Sequence, residues 1–369
     1  MTVPARNRPP AESPLRLNQG LSDSKGTSEK VESSRNAANA WQQLTQMITG
    51  YWTSRAIYVA AKLRIADHLK DGPRAAEELA AAAGVASGPL YRVLRALASV
   101  GVFAQQADGR FRLNPMAEPL REGGPDSLQA FAVMLGEEQH RCWDDLLETV
   151  RTGEPAFDRL YGRPLFAYLG EHPEQARIFD AAMTGVHGRE TAAMLDAYDL
   201  SDVRALADVG GGLGSNLTSI LGRYPAMRGL LFDQPRVVER ARPVLEAAGV
   251  ADRCTVEGGD FFEAVPGGAD AYLLGRILHD WDDARAGLIL DNLRRAMSAG
   301  AKFLLVEHVL PDGDGASIGK LRDLHMMLVT GGLERTEAEY RRLFAAHGFR
   351  LTRVVPTADD ISVVEGVPA

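Results

Sequence analysis

Cysteine, long apolar runs and excess positive charge are all scarce in this chain of 369 residues. Only Cys142 and Cys254 occur, far apart and without the spacing of metal ligands, so we expect neither a disulfide framework nor a zinc site. No segment reaches the roughly twenty apolar residues that span a bilayer, and the N-terminus lacks the apolar stretch of a signal peptide. The sequence therefore predicts a cytoplasmic protein with no membrane anchor.

The charge balance is acidic. The formal net charge is −8, which argues against a dominant attraction to nucleic acid or to an anionic membrane. A content of 45% hydrophobic and 24% charged residues is typical of globular proteins, and the length allows two domains. We expect small molecules, rather than nucleic acid or membrane, as partners.

The N-terminal third divides into two parts. Residues 1–35 are rich in proline, serine and charge, so the sequence predicts a disordered tail there. From residue 36 large apolar side chains recur at helical spacing, between Trp41 and Leu63, in greater number than one small module needs. A dimer interface is the functional interpretation of this stretch, and an ordinary core is the alternative.

A winged-helix pattern follows within the predicted domain 36–125. Two short helical stretches separated by Gly84 precede a hairpin around Asp108-Gly109. Arg92 and Arg95 on the second helix are candidates for phosphate contacts, but their neighbours are apolar where a DNA reader carries polar side chains. We therefore do not expect this domain to bind DNA.

The remaining chain has an α/β pattern. Residues 126–200 are helical and rich in aromatic side chains, and we expect them to bridge the domains and to wall a pocket. In the predicted domain 201–369, helical stretches alternate with strands, which indicates a parallel sheet covered by helices. The expected strands are 205–208, 229–232, 254–257, 271–274 and 303–306, followed by an edge hairpin of 350–355 and 361–365.

The first of these strands ends in a glycine-rich turn. Asp208 is followed by Gly210, Gly212 and Gly214, which would let a ligand approach bare backbone. A dinucleotide fingerprint would have Gly or Ala at the next position, where this chain has Ser215. Asp233 closes the next strand, where a ribose diol needs a carboxylate. Nicotinamide cofactors and S-adenosylmethionine both fit this pair of features.

The third strand favours S-adenosylmethionine. It is followed by Asp260 and Phe261, which suit the exocyclic amine and the ring of an adenine, respectively. A glycine-rich turn with incidental acids is the alternative, and it explains each feature separately without explaining their order.

His279 follows the fourth strand, so it is expected beside the glycine turn at the carboxyl edge of the sheet. A histidine titrates near neutrality and can take a proton from a phenol. The alternative is a histidine at a helix start, with Asp280 and Asp282 interacting with the helix dipole. No acidic cluster of the magnesium-binding type lies near His279 in the sequence, so we expect a metal-independent site.

Together these motifs resemble the small-molecule O-methyltransferases of the plant caffeate and flavonoid type, whose bacterial relatives tailor aromatic antibiotics. The resemblance runs from about residue 40 to the C-terminus. It implies a Rossmann-like class I methyltransferase domain that binds S-adenosyl-L-methionine, an N-terminal winged-helix dimerisation domain and a homodimer. It depends on the motifs at 208–212 (Asp-Val-Gly-Gly-Gly), 232–235 (Phe-Asp-Gln-Pro), 259–262 (Gly-Asp-Phe-Phe), 278–281 (Leu-His-Asp-Trp) and 331–336 (Gly-Gly-Leu-Glu-Arg-Thr).

The resemblance also assigns site residues. His279 would be the general base, with Glu307 and Glu334 flanking its imidazole. The family often has a cofactor-binding lysine four residues before the base, but this chain has Gly275 there, followed by Arg276. The acceptor pocket would include Phe179, Met183, Asp280 and His325. The cofactor site would include Asp208, Gly210, Gly212, Asp233, Asp260, Phe261, Arg276 and Trp281.

The expected reaction is a direct SN2 transfer of a methyl group to a hydroxyl oxygen of an aromatic secondary metabolite, assisted by the His279 base. Two alternatives stay open at this point. One is a winged-helix regulator that senses a small ligand, and the other is a methyltransferase fold with altered chemistry.

Overall fold

The computed structural model describes residues 23–124 and 126–369, with side chains from residue 39 onward. The chain divides into two units, residues 1–53 and residues 54–369. Helix α1 (Asp23–Lys62) provides the described part of the first unit and continues into the second. Residues 1–22 of the predicted tail lie outside the described residues, whereas residues 23–35 are helical. This differs from the expected disorder because, once a helix exists, each further residue adds a hydrogen bond.

Large apolar side chains of α1 are exposed within the first unit. Trp41 is 70% and Met47 is 77% solvent-accessible. The exposed set recurs every three or four residues, which aligns it along the helix as the sequence predicts. We call this set the α1 stripe; it consists of Trp41, Leu44, Met47, Ile48, Tyr51 and Trp52.

The second unit begins with a winged helix, as predicted. Helices α2 (Ile65–His68), α3 (Ala76–Ala83) and α4 (Ser87–Ser99) precede a hairpin of β1 (Ala104–Gln105) and β2 (Phe111–Arg112). The two strands are antiparallel. The core of this domain includes Leu79 of α3, Leu94 of α4, Phe111 of β2 and Phe103, which precedes β1.

The next segment is helical, in agreement with the sequence. Its helices are α5 (Gln129–Gly136), α6 (Glu138–Asp144), α7 (Leu146–Thr152), α8 (Ala156–Tyr161), α9 (Leu165–Glu171) and α10 (Pro173–Ala197). Phe157, Tyr161 and Tyr168 pack together, with ring centroids 4.5 to 5.4 Å apart. This aromatic cluster forms part of a separate core between these helices.

The remainder alternates strands and helices. The strands are β3 (Ala205–Val209), β4 (Arg228–Asp233), β5 (Cys254–Gly258), β6 (Ala271–Gly275), β7 (Lys302–Glu307), β8 (Val309–Leu310), β9 (Arg335–Thr336), β10 (Phe349–Pro356) and β11 (Ser362–Pro368). The helices are α11 (Ser215–Arg223), α12 (Pro235–Val238), α13 (Arg242–Ala247), α14 (Asp283–Ala296), α15 (Ile318–Val329) and α16 (Glu337–Ala346).

Seven of these strands form one sheet in the order β10-β11-β7-β6-β3-β4-β5. Strands β3 to β7 are parallel, and β10 and β11 form a hairpin at the sheet edge, both as predicted; in addition, β11 pairs with β7 in antiparallel fashion. The direction of strand addition reverses between β3 and β6, which is where open α/β sheets bind ligands. The carboxyl ends of β3, β4, β6 and β7 therefore define the candidate site.

Candidate active site

The turn after β3 exposes backbone in conformations that favour glycine. Gly210 and Gly212 have φ angles of 72° and 59°. A Cβ at Gly210 would lie 2.4 Å from Cδ1 of Ile277, whereas one at Gly212 would meet nothing within 4 Å. The turn is thus closed against the β6 end at Gly210 and open at Gly212. A ligand can approach the backbone on the open side.

Asp233 is fixed against this turn. Its Oδ2 accepts a hydrogen bond from the Gly212 N–H at 2.9 Å, and its Oδ1 accepts one from the Gln234 N–H at 2.6 Å. Burial raises the pKa of this carboxyl. Each carboxylate oxygen can accept a further hydrogen bond, so Asp233 keeps the capacity that a diol requires.

Asp208 lies beneath the turn rather than on its open side. It is 1% exposed, and a Cβ at Gly211 would lie 2.6 Å from its carboxyl carbon. Neither carboxyl oxygen has a hydrogen-bond partner among the described residues. Burial and the nearby charge of Asp233 raise the pKa of Asp208 to about 7.

Aromatic rings line the other side of the turn. Trp281 packs against Phe261 and Phe262, with centroids 6.2 and 4.8 Å apart, and against Phe166 at 5.6 Å. The exposed Asp260 accepts a hydrogen bond from the Phe262 N–H at 2.8 Å. The structure thus brings together Asp260, Phe261 and Trp281, all of which the sequence placed in the cofactor site.

His279 is buried in a 3₁₀ turn (Leu278–Asp280) and is only 6% exposed. Its Nδ1 lies 2.9 Å from Oε1 of Glu334, so Nδ1 carries the proton and Nε2 is the basic nitrogen. Nε2 lies 3.8 Å from Oδ1 of Asp280. Burial opposes the charged imidazolium, but the carboxylates of Glu334 and Asp280 outweigh it and raise the pKa of His279 to about 9. Burial in turn raises the pKa of Asp280 to about 6.

The loop that carries Glu334 is held by helix α15 and by the His279 turn. Its N–H donates to Oδ1 of Asp323 at 2.9 Å. A Cβ at Gly332 would lie 2.0 Å from the carbonyl oxygen of His279, so only glycine permits this close approach of the two loops. Burial would raise the pKa of Glu334, but the charges of His279 and Arg276 overcome that effect and lower it.

Glu307 occupies a different place from the one predicted. Its Oε1 accepts hydrogen bonds from the backbone N–H groups of Ile277, Leu278 and His279 at 3.2, 2.7 and 3.2 Å, and its Oε2 accepts one from the Tyr340 hydroxyl. Glu307 thus makes its hydrogen bonds to the backbone and to Tyr340 rather than to the ring, while its charge adds to those of Glu334 and Asp280 in raising the pKa of His279. The N–H groups at the start of the 3₁₀ turn have no partner within the turn, so they bind the Glu307 carboxylate in place of the imidazole. Glu307 fixes the turn that carries His279, and Glu334 fixes the ring.

Arg276 also differs from the expected cofactor contact. Its guanidinium is buried and pairs with Glu190 of α10, with Nε donating to Oε2 at 3.1 Å. Nη1 lies 3.8 Å from Oε1 of Glu334. The side chain is thus directed at two carboxylates because burial makes an unpaired arginine costly. Arg276 thus links Glu190 of α10 to Glu334, which binds His279.

Three of the four predicted acceptor residues lie on α10 and α15, and the fourth, Asp280, lies in the 3₁₀ turn of His279. Phe179 packs edge-to-face on Phe166 at 6.0 Å, and Met183 lies one helical turn farther along α10. The Nδ1 of His325 accepts from Trp143 at 3.1 Å, so its Nε2 donates to Gln139 Oε1 at 3.1 Å. Burial, followed by nearby positive charge, lowers the pKa of His325 to about 4 and keeps it neutral.

Sequence reasoning missed three residues that support His279 and its partners. Tyr340 binds Glu307, and Glu190 binds Arg276. The fully buried Arg335 donates to the carbonyl oxygens of Leu278 and Trp281 at 3.1 and 2.9 Å. Arg335 belongs to the 331–336 motif, so the sequence could have identified it. Glu190 lies in no motif that would single it out.

Comparisons with known proteins identify the family. A model of the O-methyltransferase domain matches residues 143–350, more than half of the chain. The chain belongs to the O-methyltransferase family. A second model, the O-methyltransferase dimerisation domain of the same family, matches residues 45–122, and this agrees with the predicted domain order.

Relatives of this O-methyltransferase family member act in natural-product pathways. The phenazine O-methyltransferase PhzM of Lysobacter antibioticus is 50% identical over 88% of this chain and 95% of that protein. The O-demethylpuromycin-O-methyltransferase of Streptomyces alboniger is 39% identical over 93% of this chain and 94% of that protein. The crystal structure of LaPhzM aligns with a TM-score of 0.87 at 49% identity, covering 89% of this chain and 99% of that one.

The chain is therefore an S-adenosylmethionine-dependent methyltransferase of the secondary-metabolite type with a class I fold. Solved relatives contain S-adenosylmethionine or S-adenosylhomocysteine. The site fits this cofactor, since the turn is open at Gly212 and Asp233 retains hydrogen-bonding capacity beside it. Within the described residues, no helix is long and apolar enough to cross a membrane, and no cluster of His, Cys, Asp or Glu is arranged to hold a metal ion.

Proposed function

We propose that this methyltransferase methylates a phenolic hydroxyl oxygen of an aromatic small molecule, with His279 as the general base. One observation supports this most strongly: Glu334 holds Nδ1–H, which leaves Nε2 of a buried histidine as the proton acceptor. When bound, S-adenosylmethionine supplies an electrophilic methyl group on a sulfonium. Nε2 of His279 would take the hydroxyl proton while the oxygen receives the methyl group and S-adenosylhomocysteine leaves, so the protein itself need form no covalent intermediate.

The neighbouring residues keep the base in place during this proton transfer. Glu334 fixes the tautomer of the ring and stabilises the imidazolium that forms. Glu307 keeps the 3₁₀ turn rigid through three backbone hydrogen bonds, so the ring does not swing away from the acceptor. The raised pKa of His279 makes it a strong base that is free mainly at alkaline pH.

The cofactor contacts are proposed for the open side of the glycine turn. Asp233 would accept from the ribose diol, Asp260 from the adenine amine, and Phe261 would pack on the adenine ring beside Trp281. Gly210 and Gly212 give access to the backbone. We leave Arg276 out of this set, because its guanidinium is bound by Glu190.

The acceptor pocket is proposed between α10, α15 and the base, with Phe179, Met183, Asp280 and His325 as its walls. Oxygen is favoured over nitrogen as the methyl acceptor because a phenol must lose its proton and the site provides a buried, oriented base for it. Relatives named as N-methyltransferases make this choice worth testing directly.

The test is an assay with methyl-labelled S-adenosylmethionine and paired phenols and arylamines on mono-, bi- and tricyclic rings. Oxygen methylation of phenols by the wild-type protein supports the proposal, and EDTA should leave its rate unchanged. Transfer to arylamines alone would overturn the oxygen assignment.

We also propose that the α1 stripe pairs with a second copy of the chain. The dimerisation-domain model includes residues 45–52, and exposed Trp and Met side chains of this kind are typical of interface cores. Trp52→Glu should give monomers in light scattering at micromolar concentration, whereas deleting residues 1–35 should keep the dimer. Ile57 is less suitable for this test than the sequence suggested, because it packs on the winged-helix core. A monomeric wild type would exclude this interface.

A further inference from the structure

Arg322 of α15 is a cation without a counterion near the proposed base. It is partly buried, yet none of its nitrogens has a hydrogen bond or an ion pair with any residue that the structure describes. Arg253 is also partly buried, but it donates to the carbonyl oxygens of Leu221 and Met227 at 2.7 and 3.0 Å. Burying an arginine without an anion or acceptor is costly, so a partner absent from this chain is expected.

Two of the three carboxylates that act on Arg322 are already committed, and the third, Asp360, is exposed and forms no ion pair with it among the described residues. Glu190 pairs with Arg276, and Glu334 binds His279. Both carboxylates act on Arg322 only from beyond ion-pair distance, and Arg276 adds a second positive charge to the same region. Burial, followed by the charge of Arg276, lowers the pKa of Arg322. Arg322 is therefore left without a direct ionic partner among the described residues.

The position of Arg322 identifies which ligand could bring that charge. Residues three apart share a helix face, so Arg322 and His325 lie on the same side of α15. His325 belongs to the proposed acceptor wall with Trp143 and Gln139. The guanidinium also acts electrostatically on His187 of α10, the helix that carries Phe179 and Met183. The unpaired cation thus belongs to α15 and lies within electrostatic reach of α10.

We propose that Arg322 binds a carboxylate carried by the aromatic acceptor, so that the substrates are hydroxyaryl carboxylic acids. This inference rests on the proposed function, because it takes the space between α10 and α15 as the acceptor pocket. A guanidinium pairs with a carboxylate through two parallel hydrogen bonds, which would orient the ring as well as hold it. Because the carboxylate would be held at Arg322, the hydroxyl of the acceptor would be the group that faces His279.

The experiment measures binding by calorimetry to protein saturated with S-adenosylhomocysteine. The probes are 2-hydroxybenzoate, 3-hydroxy-2-naphthoate and a hydroxyphenazine carboxylate, each compared with its primary carboxamide. In the wild type, at least one acid should bind about tenfold to a hundredfold more tightly than its amide, as expected for a charge-assisted pair. Arg322→Met should reduce that ratio to near one, and Arg322→Lys should retain part of it. Arg342→Met, the same change on an exposed face of α16, should leave it unchanged.

Each other outcome decides against the proposal or identifies a different ligand. Equal binding of acids and amides to the wild type, or a preference that survives Arg322→Met, would overturn it. If Arg322→Met instead weakens S-adenosylhomocysteine itself, the carboxylate that Arg322 binds is that of the cofactor, and the acceptor assignment is wrong. A wild type that does not bind S-adenosylhomocysteine would refute the proposed function, which keeps the two failures distinct.

Discussion

The carboxylates on the two halves of the sheet edge differ in how they are satisfied. At the ends of β3 and β4, Asp208 has no hydrogen-bond partner among the described residues, and Asp233 accepts only two backbone N–H groups. Beside β6 and β7, Glu307 accepts from three backbone N–H groups and a tyrosine, and Glu334 holds the imidazole of His279. In the first half both Asp208 oxygens are without a partner among the described residues, and in the second half only Oε2 of Glu334 is.

This difference shows how the two halves of the site divide the chemistry. We call the side with Glu307, Glu334 and His279 the base half, and the side with Asp208 and Asp233, where the methyl donor is proposed to bind, the donor half. The base half is preorganised before any ligand arrives, so it reorients little when charge develops during the reaction. The donor half keeps acceptor capacity for a ligand that brings its own hydrogen-bond donors. Changes in the base half should therefore alter the rate, and changes in the donor half should alter cofactor affinity.

Removing the base should have the largest effect. His279→Ala is expected to lower the rate of methyl transfer about a hundredfold to ten-thousandfold, the usual contribution of a general base. Affinity for S-adenosylhomocysteine should hardly change, because His279 lies outside the donor half. Single-turnover kinetics and calorimetry measure the two quantities. A folded variant that turns over within a few fold of the wild type would show that proximity alone drives the transfer.

Removing the charge of Asp233 should act on the other half. Asp233→Asn is expected to weaken S-adenosylhomocysteine binding by about 1 to 3 kcal/mol, since the ribose diol loses a charged acceptor. Calorimetry gives the affinity, and thermal unfolding checks that the turn still forms. The exposed Asp312→Asn provides a matched control. An unchanged dissociation constant would remove Asp233 from the cofactor site.

The strand ends and glycine turn were predictable because they depend on local pattern. Alternating strands and helices fix a parallel sheet, and its carboxyl edge then brings Gly210, Asp233 and His279 together without any knowledge of loops. The positive φ angles of Gly210 and Gly212 agree with this reasoning. The edge hairpin was predictable for the same reason, since its two strands are close in sequence.

The roles of the two glutamates were not predictable from pattern. Glu334 reaches His279 only because Gly332 allows the two loops to touch, which is a contact between distant segments. From the sequence, the Glu307 carboxylate could bind either the His279 ring or the backbone. In the structure it binds three backbone N–H groups. The Arg276–Glu190 pair joins elements that no local spacing connects.

The smallest expected effect is a shift in the midpoint of the pH–rate profile, and it distinguishes the roles of Glu334 and Glu307. With a pKa of about 9, His279 is protonated below that pH, so the rate should rise with pH through about 9. Glu334→Gln removes the strongest influence that raises this pKa, while its amide oxygen can still accept from Nδ1–H. The midpoint should therefore fall by about one to two pH units, with little change in melting temperature.

Glu307→Gln is the matched variant, because it makes the same chemical change in a residue that binds the backbone instead of the ring. An amide there offers a donor where Glu307 meets only donors, so the melting temperature should fall clearly. The midpoint should move down less than in Glu334→Gln, since Glu307 has a weaker influence on the imidazole. The pH–rate profiles and thermal unfolding of the two variants test this together. If Glu307→Gln shifts the midpoint more than Glu334→Gln while the fold stays intact, Glu307 is the true partner of the ring during the reaction, and the division of roles argued from the structure is wrong.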